Sequence, residues 1–240
     1  MKLINPKVEI IDKLNGSEIL KHIEKVARTC YKSEEYISED DSSAKKLITN
    51  LVKSNHHAML EFVDITVKFT CSRSIANEIV RCRLASYAQE STRYCDYSKD
   101  KFDHDITYVI PTNLNLPEGK YTNWDNDWCD VFELKILHPE ADNLNDAANC
   151  FLQSIKNSEY YYFKLLDNGC KPQQAREVLP HALKTELNMK CNLREWRHFF
   201  ELRCSGAAHP DIRFLALTLL EQFHKEIPII FDDLYEKFKN

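Results

Sequence analysis

The sequence predicts an α+β fold, a mixed and mostly antiparallel sheet covered by helices. Helix and strand patterns are interspersed along the chain, without the strict strand-helix-strand rhythm of a parallel α/β fold. The clearest strand pattern runs from Phe62 to Thr70, where apolar and polar residues alternate as they do in a sheet with one covered face. No repeat, low-complexity tract or linker divides the 240 residues, so we expect a single domain over residues 1–240.

Three elements are predicted before that strand. A short strand is expected at Val8–Ile11, followed by a helix from Ser17 to Tyr31 with its apolar residues on one face. An acidic turn at Glu39–Asp41 then precedes a second helix. The apolar positions of this second helix recur at helical spacing: Leu47, Ile48, Leu51 and Val52.

After that strand, the predicted order is a helix leading into an arginine-rich segment, a loop, a strand and then mostly helices. The loops are expected at Ser86–Lys101 and Asn113–Lys120, and the strand near Thr107–Ile110. A long helical region ends at Asn168-Gly169, which is a normal C-terminal helix stop. The remaining elements are helices over Trp124–Leu137 and Ala147–Leu166, a strand over Leu183–Cys191, and helices over Leu193–Arg203 and from Pro210 to about Lys225.

The composition is that of a globular protein, and we expect a cytoplasmic location. Hydrophobic residues make up 43% of the chain and charged residues 29%, which is ordinary for a globular domain. No apolar run approaches the roughly 20 residues that span a bilayer. The first residues, Met-Lys-Leu-Ile-Asn-Pro, lack an apolar signal core.

The cysteine, histidine and glycine patterns exclude several kinds of site. Nine cysteines are scattered without a Cys-x-x-Cys pair, which argues against structural zinc and a disulfide framework. We expect most of them to be small buried residues. Adjacent His56 and His57 have poor geometry for one metal, so we predict no metal. The four glycines form neither the dinucleotide fingerprint nor a P-loop, so a nucleotide would bind without a glycine-rich cradle.

The segment from Arg81 to Arg93 holds three arginines and two serines in a chain whose net charge is −5, and it is suited to binding an anion. Arg93 can offer a forked guanidinium and Ser91 a hydroxyl to a phosphate. If the segment is extended there, these two side chains converge on one ligand. If the preceding helix continues, Arg81 and Arg83 diverge by roughly 200° and serve two ligands, or one ligand and a structural partner. The alternative is a solvated basic turn.

A second basic group lies in the C-terminal part of the chain. On a helix beginning near Leu193, Arg194 and His198 lie one turn apart on one face. Arg203 lies at the helix end, where its positive charge could instead stabilise the negative end of the helix dipole. Asn192 could instead serve as the helix N-cap, in a capping box with Glu195. The members of this group are Arg176, Arg194, Arg197 and Arg203, with Asn192 and His198.

Four motifs occur in order along the chain. They are His56-x-x-x-x-Glu61; Arg81-Cys-Arg83 with Ser91-x-Arg93 seven residues later; Ala175-Arg-Glu-Val-Leu-Pro180; and Asn192-Leu-Arg194 with His198-Phe-x-x-x-Arg203. In order and spacing they resemble the flavin-dependent thymidylate synthases, whose signature is Arg-His-Arg, seven residues, Ser-x-Arg. The resemblance runs from about Ala27 to Ile212. Four positions depart from the family pattern. Cys82 replaces the signature histidine, Ala58 replaces a serine or threonine, and Glu78 and His209 each occupy a position where the family often has glutamine.

The resemblance implies an enzyme of nucleotide biosynthesis, a flavoprotein methyltransferase that makes dTMP. Such an enzyme methylates dUMP at C5 without a protein nucleophile. The carbon comes from 5,10-methylenetetrahydrofolate, and the hydride comes from FAD that NADPH has reduced. The resemblance also implies a homotetramer with active sites built from several subunits, and neither a nucleic-acid partner nor a membrane partner.

The resemblance assigns site residues by position. Ser91 and Arg203 would be catalytic, with Arg203 against the uracil, favouring ionisation at N3 and stabilising charge that hydride delivery builds on the carbonyls. The substrate set is Glu78, Arg81, Gln89, Glu90, Ser91, Arg93, Arg176 and Arg203. The FAD set is Ala58, Glu61, Arg81, Cys82, Arg83, Gln89, Asn192, Arg194 and His198.

Two rival functions remain open at the level of sequence. Cys82, flanked by Arg81 and Arg83, could have a lowered pKa and act as a nucleophile, or it could be a buried, inert thiol. Alternatively, the arginine clusters could form a non-catalytic surface for a nucleotide or nucleic acid, or belong to a homologue of altered specificity. The net negative charge and a pI near 6.0 argue against nucleic acid.

Overall fold

The computed structural model describes residues 1–123, 136–137 and 146–239. The strands within these ranges are β1 (Lys2–Ile4), β2 (Lys7–Ile10), β3 (Asp64–Ser72), β4 (Ser86–Gln89), β5 (Thr107–Val109), β6 (Gly119–Lys120), β7 (Thr122–Asn123), β8 (Ile136–Leu137) and β9 (Lys184–Asn192). The helices are α1 (Gly16–Thr29), α2 (Ser42–Lys53), α3 (Arg73–Ile79), α4 (Asp146–Asp167), α5 (Pro172–Ala175), α6 (Leu193–Arg203), α7 (Pro210–Glu226) and α8 (Pro228–Phe238).

The described strands form sheets of order β2-β3-β9-β4, β5-β1-β6 and β7-β8. Strand β1 is parallel to β5, with Leu3 opposite Tyr108, and antiparallel to β6. The two clearest sequence patterns are confirmed, because buried and less buried residues alternate along β3 and β9. Together with the helices, these sheets confirm the α+β fold.

The chain divides into two compact units, each assembled from segments distant in sequence. The first unit comprises Met1–Lys7, Thr70–Glu78 and Gln89–Leu187. The second unit comprises Val8–Phe69, Ile79–Ala88 and Asn188–Asn240. The single domain expected over residues 1–240 stays a prediction.

Four buried tyrosines pack among aliphatic residues in the core of the first unit. Tyr97 and Tyr162 pack edge to face with ring centroids 5.7 Å apart, and Tyr108 and Tyr121 are fully buried beside strand β1. Helix α4 stops where the sequence predicts. Gly169 adopts φ 85°, a left-handed conformation that suits glycine, and its amide donates to the Leu166 carbonyl at 2.9 Å.

In the second unit, Trp196 fixes helix α6 against strand β3. Its indole Nε1 donates to the Ile65 carbonyl at 3.1 Å, and its ring is fully buried. The Trp196 ring stacks on Phe200, and Phe223 and Phe231 extend the packing to α7 and α8. Buried aromatic rings in contact contribute both apolar burial and favourable edge geometry. Helix α6 is therefore a rigid platform.

Several local predictions are wrong. The segment Ser86–Lys101 is not a loop throughout, because its first four residues form β4, and the predicted loop over Asn113–Lys120 ends in β6. The helix expected over Trp124–Leu137 lies outside the described residues except at Ile136–Leu137, which form strand β8. Helix α3 ends at Ile79, before the arginines.

The cysteines are less buried than expected. Of the eight that the structure describes, only Cys71, Cys191 and Cys204 are buried, whereas Cys30 and Cys150 are exposed. Among the described residues, no helix is both long enough and apolar enough to cross a membrane.

A buried arginine joins α6 to α8. Arg197 is 5% exposed and donates to the two carboxylate oxygens of Asp233, at 2.7 and 2.5 Å, and to the Ile230 carbonyl. Burial opposes the charge of Asp233, but the hydrogen bonds and charge of Arg197 outweigh it and hold the pKa of Asp233 below its ordinary value.

We predict that Asp233→Asn lowers the free energy of unfolding by about 2 kcal/mol at pH 7, because Arg197 loses its countercharge while half-exposed Asp233 is partly screened by water. The pair contributes fully at neutral pH, and its contribution is lost as pH falls from about 4 through the lowered pKa. Urea unfolding at pH 7 and pH 3 measures the change, with exposed Glu236→Gln on the same helix as the control. An undiminished difference at pH 3 would contradict the assignment.

Candidate functional site

A turn follows β4 in the first unit and carries Ser91 and Arg93. The amides of Tyr94 and Cys95 donate to the Ser91 carbonyl at 3.1 and 3.0 Å, and the Arg93 amide donates to Ser91 Oγ at 3.4 Å. The backbone is therefore not extended here, and simple alternation does not bring the two side chains together. The Arg93 guanidinium lies 5.5 Å from the centroid of the Tyr94 ring, and both side chains are exposed.

Residues Gln89 and Glu90 are tied to the neighbouring strand β9. The Gln89 side chain donates through Nε2 to Thr185 Oγ1 at 3.3 Å, and Lys184 Nζ lies 3.0 Å from a carboxylate oxygen of Glu90. Burial opposes the charge of Lys184, but its ion pairs with Glu90 and Glu186 raise its pKa. The charge of the Glu90 side chain is thus already neutralised, and its backbone amide donates to the Glu186 carbonyl at 2.9 Å.

Arg176 lines a cavity of about 300 Å³ in the first unit, which we name the Arg176 cavity. Its guanidinium donates to Thr92 Oγ1 at 3.1 Å, so the turn after β4 and the segment after α5 are held together. Glu78, on α3, does not line this cavity. The lining residues are Arg73, Asn77, Thr92, Arg176, Glu177, Leu179, Pro180, His181 and Leu183.

Sequence reasoning missed five polar members of the Arg176 cavity, namely Arg73, Asn77, Thr92, Glu177 and His181. Arg73 follows directly on the alternating pattern of β3, and one of its guanidinium nitrogens lies 3.5 Å from the Glu90 carbonyl. His181 follows the motif that ends at Pro180. The signals were available, since a cation just past a strand end and a histidine next to a motif are both candidates for a site.

A second cavity, of about 290 Å³, lies in the second unit, and we name it the Arg203 cavity. Helix α6 supplies five of its residues at helical spacing, so that they share one face. The turn between α3 and β4 supplies the rest. The lining residues are Arg81, Cys82, Arg83, Leu84, Glu195, His198, Phe199, Leu202 and Arg203.

Arg81 and Arg83 line this same cavity, so the divergence expected for a continuing helix is wrong. The cause is that α3 ends at Ile79, and the two arginines lie in an irregular turn. A turn can present alternate residues to one space, whereas a helix cannot. Arg203, the last residue of α6, is half-buried in the cavity wall.

Cys82 is held as a neutral thiol. Its Sγ donates to Glu195 Oε1 at 2.7 Å, and the Tyr87 hydroxyl donates to the carbonyls of Ile79, at 3.0 Å, and Cys82. Burial, followed by the hydrogen bond and charge of Glu195, raises the pKa of Cys82 to about 12. The lowered pKa that a nucleophile requires is therefore contradicted.

The remaining expected cofactor residues do not line the Arg203 cavity. Asn192 caps α6, since its Oδ1 accepts from the Glu195 amide at 2.9 Å, while the Glu195 carboxylate accepts from Cys82. The Arg194 guanidinium pairs with Glu61 at 2.5 Å, with both side chains exposed. Ala58 lines a separate cavity of about 430 Å³ that also includes Tyr31 and His56.

Cations gathered on two cavities of an α+β fold equip a protein to bind anionic ligands. Residues 9–229 match the family model described as thymidylate synthase complementing protein. The chain belongs to this family.

Curated relatives agree with that membership. The chain is 30% identical over 214 residues to a flavin-dependent thymidylate synthase of Geobacter sulfurreducens, with 86% of this chain and 78% of the relative covered. It is 29% identical over 192 residues to the Pyrococcus furiosus enzyme of that description, with 80% of this chain and 66% of the relative covered. The match thus spans just under two thirds of the Pyrococcus protein.

The fold is also similar to a solved structure. A crystal structure of the UMP/dUMP methylase PolB from Streptomyces cacaoi, bound with 5-Br dUMP, matches with a TM-score of 0.72 at 22% identity. The match covers 99% of this chain and 98% of that chain. At 22% sequence identity, this similarity shows only that the two proteins share a fold.

We predict that iodoacetamide modifies Cys82 much more slowly than exposed Cys30 and Cys150 at pH 8. A thiol whose pKa is about 12 is almost wholly protonated there, and the thiolate is the reactive form. Mass spectrometry of the native protein after timed alkylation compares the three sites. Faster labelling of Cys82 than of Cys30 would restore the nucleophile reading.

Proposed function

We propose that the protein is a flavin-dependent thymidylate synthase that converts dUMP to dTMP. The methylene group comes from 5,10-methylenetetrahydrofolate, and the hydride comes from FAD reduced by NADPH. Methylene plus hydride gives the methyl group, the folate leaves as tetrahydrofolate, and the C5 proton of the uracil is lost. The observation that carries the proposal is the Arg203 cavity, where Arg81, Arg83 and Arg203 converge from segments distant in sequence.

The residues of the Arg203 cavity fit an anionic cofactor. FAD carries a diphosphate, and the cavity offers guanidinium donors together with His198, without any glycine-rich cradle. A cavity of about 290 Å³ would enclose only part of so large a molecule. When bound, FAD supplies the hydride chemistry. The further flavin contacts we propose are Ala58, Glu61, Cys82, Gln89, Asn192 and Arg194.

Arg203 would act on the uracil. A fixed guanidinium favours ionisation at N3 and stabilises the negative charge that builds on the carbonyl oxygens as hydride reaches C6. Its half-buried position at the end of a rigid helix supports this role, because little reorganisation is then needed during the reaction. The protonated state of Cys82 supports a reaction without a protein nucleophile.

The first unit would hold the phosphate of the nucleotide. Ser91 and Arg93 on the turn after β4 would bind the phosphate, with the backbone at Gln89 and Glu90 positioning the base, and Arg176 would add a second cation. The Arg176–Thr92 hydrogen bond supports this, since it fixes a guanidinium next to that turn. Glu78 and Arg81 complete the proposed substrate contacts. A homotetramer in the cytoplasm remains part of the proposal.

We predict that Arg203→Ala lowers kcat/KM for dTMP formation by tenfold or more, because it removes one or two charge-assisted contacts of about 1.5–3 kcal/mol each. Purified protein is incubated with FAD, NADPH, dUMP and methylenetetrahydrofolate, and the product is identified by mass spectrometry. Arg203→Lys keeps the positive charge but loses the planar guanidinium that donates two parallel hydrogen bonds, so its kcat/KM should lie between those of Arg203→Ala and wild type.

Exposed Lys237→Ala on α8 is the matched control for a lost cation in the same unit. Full dTMP formation by Arg203→Ala would remove the assigned role. A wild-type protein that takes up no FAD and makes no thymidylate would instead favour a non-catalytic nucleotide-binding protein. Assays with UMP beside dUMP identify an altered specificity.

We predict that Arg176→Ala raises the KM for dUMP by about tenfold or more and changes kcat less, because phosphate contacts are made equally in ground and transition states. We expect the same of Arg73→Ala, because Arg73 lines the same cavity and would meet the same phosphate. Steady-state kinetics over a range of dUMP concentrations measures the split. Lys164→Ala, an exposed cation on α4, is the control. An unchanged KM in both arginine variants would exclude the Arg176 cavity from substrate binding.

A further inference from the structure

We infer that Glu195 is a positioning residue, which through its hydrogen bond to the Cys82 thiol fixes the turn that presents Arg81 and Arg83 to the Arg203 cavity. This inference rests on the proposed function only in taking FAD as the ligand that the two arginines meet. The arrangement itself belongs to this chain, in which a thiol replaces the histidine expected between the arginines.

The acceptor, Glu195, lies on a helix that is held in place at its N-terminus. Glu195 is 7% exposed and lies in the first turn of α6, where Asn192 caps its amide at 2.9 Å. The next residue, Trp196, anchors the helix through its bond to the Ile65 carbonyl. A carboxylate held in this way keeps one location and defines where its donor must be.

The donor, Cys82, lies in an irregular segment that side-chain contacts must hold in place. Residues 80–85 are neither helix nor strand, so their backbone lacks the regular hydrogen bonds that fix α3 and β4. Cys82 is held at three points: its amide donates to the Ile79 carbonyl at 3.1 Å, its carbonyl accepts from Tyr87, and its thiol meets Glu195 at 2.7 Å. Because Arg81 and Arg83 are its direct neighbours in the chain, the location of Cys82 determines where their exposed side chains lie.

The negative charge of Glu195 gives this residue a second function in the Arg203 cavity. Arg81, Arg83 and Arg203 line one small cavity, and like charges at such range repel one another when no anion is bound. Glu195 also lines the cavity and contributes a negative charge. Because its partner is a neutral thiol rather than a cation, that charge stays available to offset the arginines.

The first test is an FAD titration of the apoprotein, residues 1–240, by flavin fluorescence. We expect Cys82→Ala and Glu195→Ala each to weaken FAD binding about tenfold, and the double variant to be no weaker than either single variant. Cys82→Ser, which restores a donor, should bind within about twofold of wild type. Glu201→Ala, an exposed carboxylate removed from the same helix, should bind as wild type does.

The second test is limited trypsin digestion, which requires no cofactor. We expect cleavage after Arg81 and Arg83 to become about tenfold faster in Cys82→Ala and Glu195→Ala, relative to cleavage after exposed Lys164, and to be unchanged in Cys82→Ser and Glu201→Ala. Cleavage that rises equally at Lys164 would mean global unfolding and would overturn the local positioning role.

The two tests separate the hypotheses. If wild type binds no FAD, the proposed function fails, and the trypsin ratios alone decide the positioning role. If wild type binds FAD but Cys82→Ala and Glu195→Ala bind it equally well, or if their losses multiply in the double variant, the positioning role is wrong and the proposed function stands.

Discussion

The second unit depends on the way helix α6 is fixed to strand β3. The indole of Trp196 donates to the Ile65 carbonyl, and its ring packs in a cluster that includes Phe200. This contact sets the rotation of the helix about its own axis. Once the rotation is set, the spacing of 3.6 residues per turn directs the adjoining face, from Glu195 to Arg203, into the Arg203 cavity. A packing constraint on one face of a helix therefore determines the chemistry on the adjoining face.

Charge is distributed so that a chain with a net negative charge still presents concentrated cations. Several acidic side chains are already paired, as Glu90 is with Lys184, Glu61 with Arg194 and Asp233 with Arg197. The guanidiniums of both named cavities lie on turns or at helix ends, where the backbone can point side chains into one space. Net charge, a property of the whole surface, says little about a local site, because the field of a cavity is set by the groups that line it.

The structure explains which sequence arguments held and which failed. Patterns of period two and period 3.6 located β3, β9, α1, α6 and α7 to within about two residues, because burial of one face dictates those periods. Of the short strands, β2 and β5 were predicted but β1, β4 and β6 escaped notice, since two to four residues show at most a weak period. The extended arrangement considered for Ser91 and Arg93 failed because a turn, closed by hydrogen bonds to the Ser91 carbonyl and side chain, replaced it.

The sequence by itself determined the α+β class, the long elements and the four motifs that mark the family, because these depend on local periodicity and on residue identity at fixed spacing. Only the tertiary structure decided that Arg81 and Arg83 share one cavity, that Arg73 joins Arg176, and that the thiol of Cys82 is neutral. The physical reason is the same in each case. Where a helix stops, which carboxylate faces a thiol and how deeply a group is buried depend on segments distant along the chain, and no local pattern encodes those contacts.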